Sequence, residues 1–163
     1  MNRLGVDPGT DQTAWAVYNT KTKTIPRFGL EPNAEFLKRI QNNDFGVIVD
    51  SMAMEMIASY GMAVGKTVFE TCVWIGRFVQ AWMTMAETNT FEYIYRKDEK
   101  ITLCGTMKAK DSNIRQAIMD RYGSTRQLVL GTKKNPGPLY GVSKDVWAAI
   151  AVAITSEEME RVK

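Results

Sequence analysis

The first thirty residues alternate apolar and polar positions in short runs broken by turn residues. Residues 3–7 are largely apolar, Pro8-Gly9-Thr10-Asp11-Gln12 punctuates, and residues 13–18 resume with Trp15, Val17 and Tyr18 in strand-like alternation. This predicts a hairpin. After a turn at residues 19–23, residues 24–30 read as a third strand, which Pro26 assigns to an edge of the sheet because it cannot donate to a ladder. Residues 34–41 place Phe36, Leu37 and Ile40 on one stripe and predict a short amphipathic helix ended by Asn42-Asn43. Residues 45–56, with Val47-Ile48-Val49 and a row of methionines, read as a strand buried on both faces.

From residue 66 to 87 apolar residues recur at helical spacing, giving the longest helix. Residues 91–95 are β-rich and are expected to pair with residues 100–103. Residues 114–122 form a helix capped by Asp111-Ser112-Asn113 and closed by Gly123, with its basic residues outward. Residues 131–141 are a loop rich in Gly, Lys and Pro. Residues 145–159 make a last helix whose Ala148, Ala149, Ala151 and Ala153 allow close packing on a sheet. A meander followed by alternating helices and strands indicates an α/β fold, a mixed five-stranded sheet with helices on both faces, in one domain over residues 1–163.

Composition narrows the chemistry. A chain of 163 residues, 45% hydrophobic and 24% charged, is an ordinary globular protein of about one domain. No run is apolar enough to cross a bilayer and the start lacks the features of a signal peptide, so a cytoplasmic location is expected. Cys72 and Cys104 cannot build a disulfide framework and read as core thiols. The chain has no histidine, which removes Ser-His and Cys-His pairs, imidazole bases and His-ligated zinc. Catalysis must rest on carboxylates, lysines, hydroxyls or a metal held by oxygen.

The net charge is only +3, but residues 96–134 carry ten Lys or Arg against four acids. Lys100, Lys108, Lys110, Arg115, Lys133 and Lys134 form a candidate phosphate-binding footprint if they share a face, and a solvated surface otherwise.

Three acids occupy unusual places. Asp7 ends an apolar strand, Glu55 ends another, and Asp145 opens an Ala-rich helix. Each has an ordinary explanation: Asp7 closing a turn, Glu55 paired with a lysine, Asp145 capping its helix. If the first and fourth strands are adjacent, Asp7 and Glu55 stand side by side, and their repulsion calls for a cation. Mg²⁺ or Mn²⁺ takes hard oxygen ligands and keeps water and phosphate in its shell, so such a cluster beside a phosphate-binding surface points to phosphodiester hydrolysis.

Gly5-Val6-Asp7-Pro8-Gly9-Thr10, Met54-Glu55 before a loop and long helix, Lys100-Ile101-Thr102-Leu103-Cys104-Gly105, and Asp145 leading into residues 147–154 together resemble the RuvC family of Holliday junction resolvases, particularly bacteriophage versions. The likeness spans nearly the whole chain. It implies a ribonuclease H-like fold, a homodimer, Mg²⁺-dependent nicking of four-way DNA junctions in the cytoplasm of a bacterial host, and metal ligation by Asp7, Glu55 and Asp145. On this reading Asp7 bridges two metals and Lys100 lies near the DNA backbone. The family usually brings two acids from its last helix, three residues apart. Here one is missing, at Ala148 or, one turn earlier, at Val142. Asp111, Asp11 and Asp50 are candidates to compensate. The aromatic that the family uses at the opened junction falls near Ala58, with Tyr60 the closest ring.

Gly61, Gly65, Lys66 and Thr67 lack the spacing of a phosphate loop and read as a loop and helix start. Phe69, Val73, Trp82 and Met83 read as core plus a dimer seam. Rival functions are a non-catalytic branched-DNA-binding protein, an RNA-processing nuclease of the same fold, and half of an actin-like or sugar-kinase phosphate-binding fold.

Overall fold

The computed structural model describes residues 1–87 and 89–162; Thr88 and Lys163, inside the expected domain span, lie outside the described residues. Five strands, β1 (Asn2–Pro8), β2 (Gln12–Asn19), β3 (Thr24–Pro32), β4 (Ser51–Met56) and β5 (Thr90–Tyr95), form one sheet in the order β3-β2-β1-β4-β5. The first three make the antiparallel meander, and β4 and β5 add in parallel. Pro26 lies on the edge strand, where the ladder between β2 and β3 shifts register.

Alternation along each strand divides the core in two. Leu4 and Val6 of β1, Trp15 and Val17 of β2 and Met52 and Met54 of β4 face α1 (Asn33–Asn42) and α2 (Lys66–Met85), where they meet Phe36, Ile40, Ile75, Phe78 and Trp82. The other face is covered chiefly by α6 (Val146–Val162), whose Ala149, Ile150 and Ala153 pack on Ala14 and Ala16. Gly5 explains how closely α6 sits. A Cβ at Gly5 would meet the Ala149 carbonyl and come within 2.7 Å of the Ala153 Cβ. Only glycine on the strand and alanine on the helix permit this approach.

Three expectations need correction. Residues 100–103 are not a strand: Arg96–Cys104 is helix α3. Asp98 accepts the Tyr95 N–H at 2.9 Å, Asp98 and Glu99 sit in the positive first turn, and Gly105 closes the helix in the left-handed conformation. The strand expected over residues 45–56 begins only at Ser51. Ile48 is 77% exposed and its carbonyl accepts from the Asn2 side chain, while Phe45 and Val49 reach the core from irregular backbone. On α2 the buried stripe is Thr71, Ile75, Phe78 and Trp82, so that of the expected core and seam residues only Trp82 is buried. Cys72 and Cys104 are half-buried. The remaining helices are α4 (Asp111–Met119) and the short α5 (Arg126–Leu130), followed by the expected loop. Among the described residues no helix is long and apolar enough to cross a membrane.

Candidate active site

The parallel register of β1 and β4 runs from Arg3 opposite Ser51 to Val6 opposite Met54. One step further on each strand come Asp7 and Glu55. Both follow the parity of Gly5 and Ala53, so their side chains lie on the α6 side of the sheet. Helix α6 runs antiparallel to β1: Ser156 bonds Arg3, Ala149 and Ala153 cover Gly5, and Asp145, immediately before the helix, arrives over Asp7. The turn after Asp7 is held from behind by the buried Asn33, whose Nδ2 donates to the carbonyls of Gly9 and Thr10, both at 2.9 Å, while its Oδ1 accepts from Thr13 at 2.6 Å.

A fourth carboxylate joins these three. Glu99, one turn into α3, is 0% exposed. Helix α3 follows directly on β5, whose Ile94 pairs with Glu55, and it packs against α6. Glu99 thereby stands over the same strand ends. One of its oxygens accepts from Arg96, which also binds Asp111; among the described residues no donor reaches the other, Oε1.

The electrostatics follow from this crowding. Burial first, then the charge and hydrogen bond of Glu55, then Asp145 and Glu99, push the Asp7 carboxyl up to about 9. Burial and Glu55, against the pull of Arg96, push Glu99 up to about 8. Burial disfavours the charge on Arg96, but Glu99, Asp111 and Glu55 more than offset it and raise its pKa further. The ion pairs among the described residues leave out Asp7, Glu55 and Asp145. The lysine partner considered for Glu55 is therefore not seen.

All the donors here are hard carboxylate oxygens, one of them buried without a partner, which suits a hard divalent cation. Among the described residues no three of these side chains are placed so that together they could hold a metal ion, so binding one requires the carboxylates to move. Of the candidates to replace the missing acid, Asp111 is exposed and taken up by Arg96, Asp50 caps the Asn2 N–H at 2.6 Å, and Asp11 is exposed. Sequence reasoning missed Glu99 because it stands in the charged run Arg96-Lys97-Asp98-Glu99-Lys100. Acids just after Tyr95 and a glycine at 105 were the available helix signal.

Beside Asp145 a cleft of about 350 Å³ is lined by Arg96, Asp111, Arg115, Lys144, Trp147 and Ala148. It sets three cations next to the acids, and Lys144 was not anticipated. Lys108, Lys110, Lys133 and Lys134 are exposed and Lys100 is half-buried on α3. Ala148 is half-buried and Val142 is buried, so neither offers a donor. Tyr60 is 62% exposed with a φ of 45°, in the loop after Glu55. Gly65 and Lys66 open α2, as a loop and helix start should.

No protein-family model and no curated protein matches the sequence. Solved structures do match. A RuvC structure from Thermus thermophilus superimposes with a TM-score of 0.69 at 17% identity, covering 99% of this chain and 96% of that one. T. thermophilus RuvC in complex with Holliday junction substrate gives 0.68 at 18% identity with the same coverage. The yeast mitochondrial Holliday junction resolvase Ydc2 gives 0.53 at 10% identity, over 94% of this chain and 74% of that one. The order of strands, the helices on both faces and the near-complete mutual coverage with the first two together give this chain the RuvC-like, ribonuclease H-like α/β fold.

Proposed function

We propose that the chain is a divalent-metal-dependent endonuclease that nicks four-way or otherwise branched DNA, a Holliday junction resolvase. The observation that carries the reading is the meeting of Asp7 and Glu55 on adjacent parallel strand ends, with Asp145 above them and no lysine or arginine paired to any of the three among the described residues. The likeness to RuvC, one structure of which holds Holliday junction substrate, supports the choice of DNA substrate.

Asp7, Glu55 and Asp145 would hold Mg²⁺, with Mn²⁺ able to substitute. When bound, such an ion supplies Lewis acidity to the scissile phosphate and to the attacking water. The chain's own residues do the rest. The sheet sets the backbone at Asp7 and Glu55, and Asn33 holds the turn that follows Asp7. Arg115 and Lys144 line the cleft on one side of Asp145 and would take the phosphates flanking the cut, while Arg96 is held by Glu99 and Asp111. Lys100, Lys108, Lys110, Lys133 and Lys134 extend this basic footprint along the duplex arms, reading charge and shape.

A four-way junction has two-fold symmetry, and a homodimer matches it with two active sites. Phe69, Val73 and Met83 expose one apolar side of α2, and a Cβ at Gly76 between them would meet nothing within 4 Å. That face is our candidate dimer seam. Tyr60, exposed in the loop between β4 and α2, stays the candidate for stacking at the junction centre.

Nicking of a synthetic four-way junction across Mg²⁺ and Mn²⁺ titrations tests the proposal, with linear duplex and structured RNA as competitors. Symmetric nicks suppressed by unlabelled junction support it. Junction binding without nicks at any metal concentration would favour a non-catalytic branched-DNA binder, a reading to which Ala148 lends some weight. Preferential cleavage of RNA would favour an RNA-processing nuclease.

A further inference from the structure

Asp145 stands immediately before α6 and Ala148 in its first turn, so beyond Asp145 this segment brings no second carboxylate to the strand ends. The opposite wall of the site is α3. Glu99 projects from its first turn, wholly buried, in a helix that starts where β5 ends beside Glu55. Its two oxygens differ. One is clamped by Arg96, itself anchored to Asp111, and Oε1 has no donor within reach among the described residues. A buried carboxyl oxygen is seldom kept without a partner to meet it.

We propose that Glu99 is the fourth carboxylate of this site, with Arg96 fixing its orientation and Oε1 presented to the divalent cation that Asp7 and Glu55 hold. The inference rests on the nuclease reading above, since it needs that cation. It assigns the α3 side of the metal's shell to a residue that the strand ends and α6 cannot supply. The field of Glu55 on Glu99 is consistent with two carboxylates facing one site.

The test is Mn²⁺ binding to the metal-free full chain by calorimetry, which reads the site without any cleavage. Glu99→Gln keeps the shape and the bond from Arg96. The expected result is Mn²⁺ affinity weakened by roughly 10- to 100-fold with unfolding in EDTA unchanged or shifted to higher urea. Unchanged Mn²⁺ affinity overturns the assignment, whatever happens to stability, and leaves Glu99 as the structural partner of Arg96. Should Glu99→Gln not fold, Glu99→Asp, one methylene shorter, serves: weaker Mn²⁺ binding supports the assignment and wild-type affinity overturns it. Asp7→Asn in the same titration separates the role of Glu99 from the existence of the metal site. If Asp7→Asn loses Mn²⁺ binding and Glu99→Gln does not, only the role of Glu99 falls; if wild type and Asp7→Asn bind Mn²⁺ alike, the nuclease reading falls with it.

Discussion

Asp7 and Glu55 stand carboxyl to carboxyl at the ends of two parallel strands, in hydrogen-bonding contact, with Asp145 and Glu99 adding negative charge around them. In the metal-free protein this arrangement is kept by protons. Asp7, raised to about 9, and Glu99, raised to about 8, hold protons in the native state that the unfolded chain releases near pH 4. The native state therefore binds more protons across this window. The stability these groups contribute is complete below about pH 4 and is lost as pH rises toward 8 and 9. Each such proton sets a slope of about 1.4 kcal/mol per pH unit. Urea unfolding in EDTA at several pH values should show wild type losing stability relative to Asp7→Asn as pH rises. Parallel curves for the two proteins would contradict the raised Asp7.

The approach of α6 to β1 at Gly5 makes a second prediction. A methyl there collides with the backbone of Ala149 and with Ala153. Overpacking against backbone costs about 1–3 kcal/mol or more. Gly5→Ala should lower the urea midpoint at constant slope, or abolish soluble expression, and a wild-type midpoint would show that α6 can shift without cost.

Much of this architecture could be read from residue order. The meander, the edge position of Pro26, the convergence of Asp7 and Glu55 and the Ala-rich packing helix all follow from alternation, proline chemistry and small residues. Two places misled for physical reasons. Val47-Ile48-Val49 has strand composition, yet Asp50 and Ile48 are engaged by Asn2 and the chain enters the sheet only at Ser51. Glu99 lies among four other charged residues, and no local pattern tells a buried glutamate from a solvated one. Its burial is a tertiary fact, produced by α3 folding back over the strand ends against α6.

The dimer proposal is tested on α2. Val73 is 63% exposed, so Val73→Glu should leave the fold of the single chain intact, and any fall in thermal stability should be the dimer's contribution, which rises with protein concentration in wild type and not in the variant. Sedimentation should then show a dimer for wild type and a monomer for the variant. A monomeric wild type, or a variant that still pairs, would remove this face from consideration.

Lys133 and Lys134 sit exposed in the loop after α5. If both touch phosphates, replacing both by alanine should weaken junction binding for every sequence alike. The slope of log affinity against log salt should fall by about 2 in magnitude. An unchanged slope would place this loop away from DNA.

On this reading Asp7 serves the chemistry and not the grip on DNA. Cleavage and binding of a four-way junction by wild type and Asp7→Asn, measured side by side in Mg²⁺, address it directly. Loss of several kcal/mol of transition-state stabilisation predicts nicking reduced by roughly a thousandfold or more, with junction affinity equal to or tighter than wild type because one negative charge is gone. An Asp7→Asn protein that nicks the junction at the wild-type rate would remove Asp7 from the chemistry.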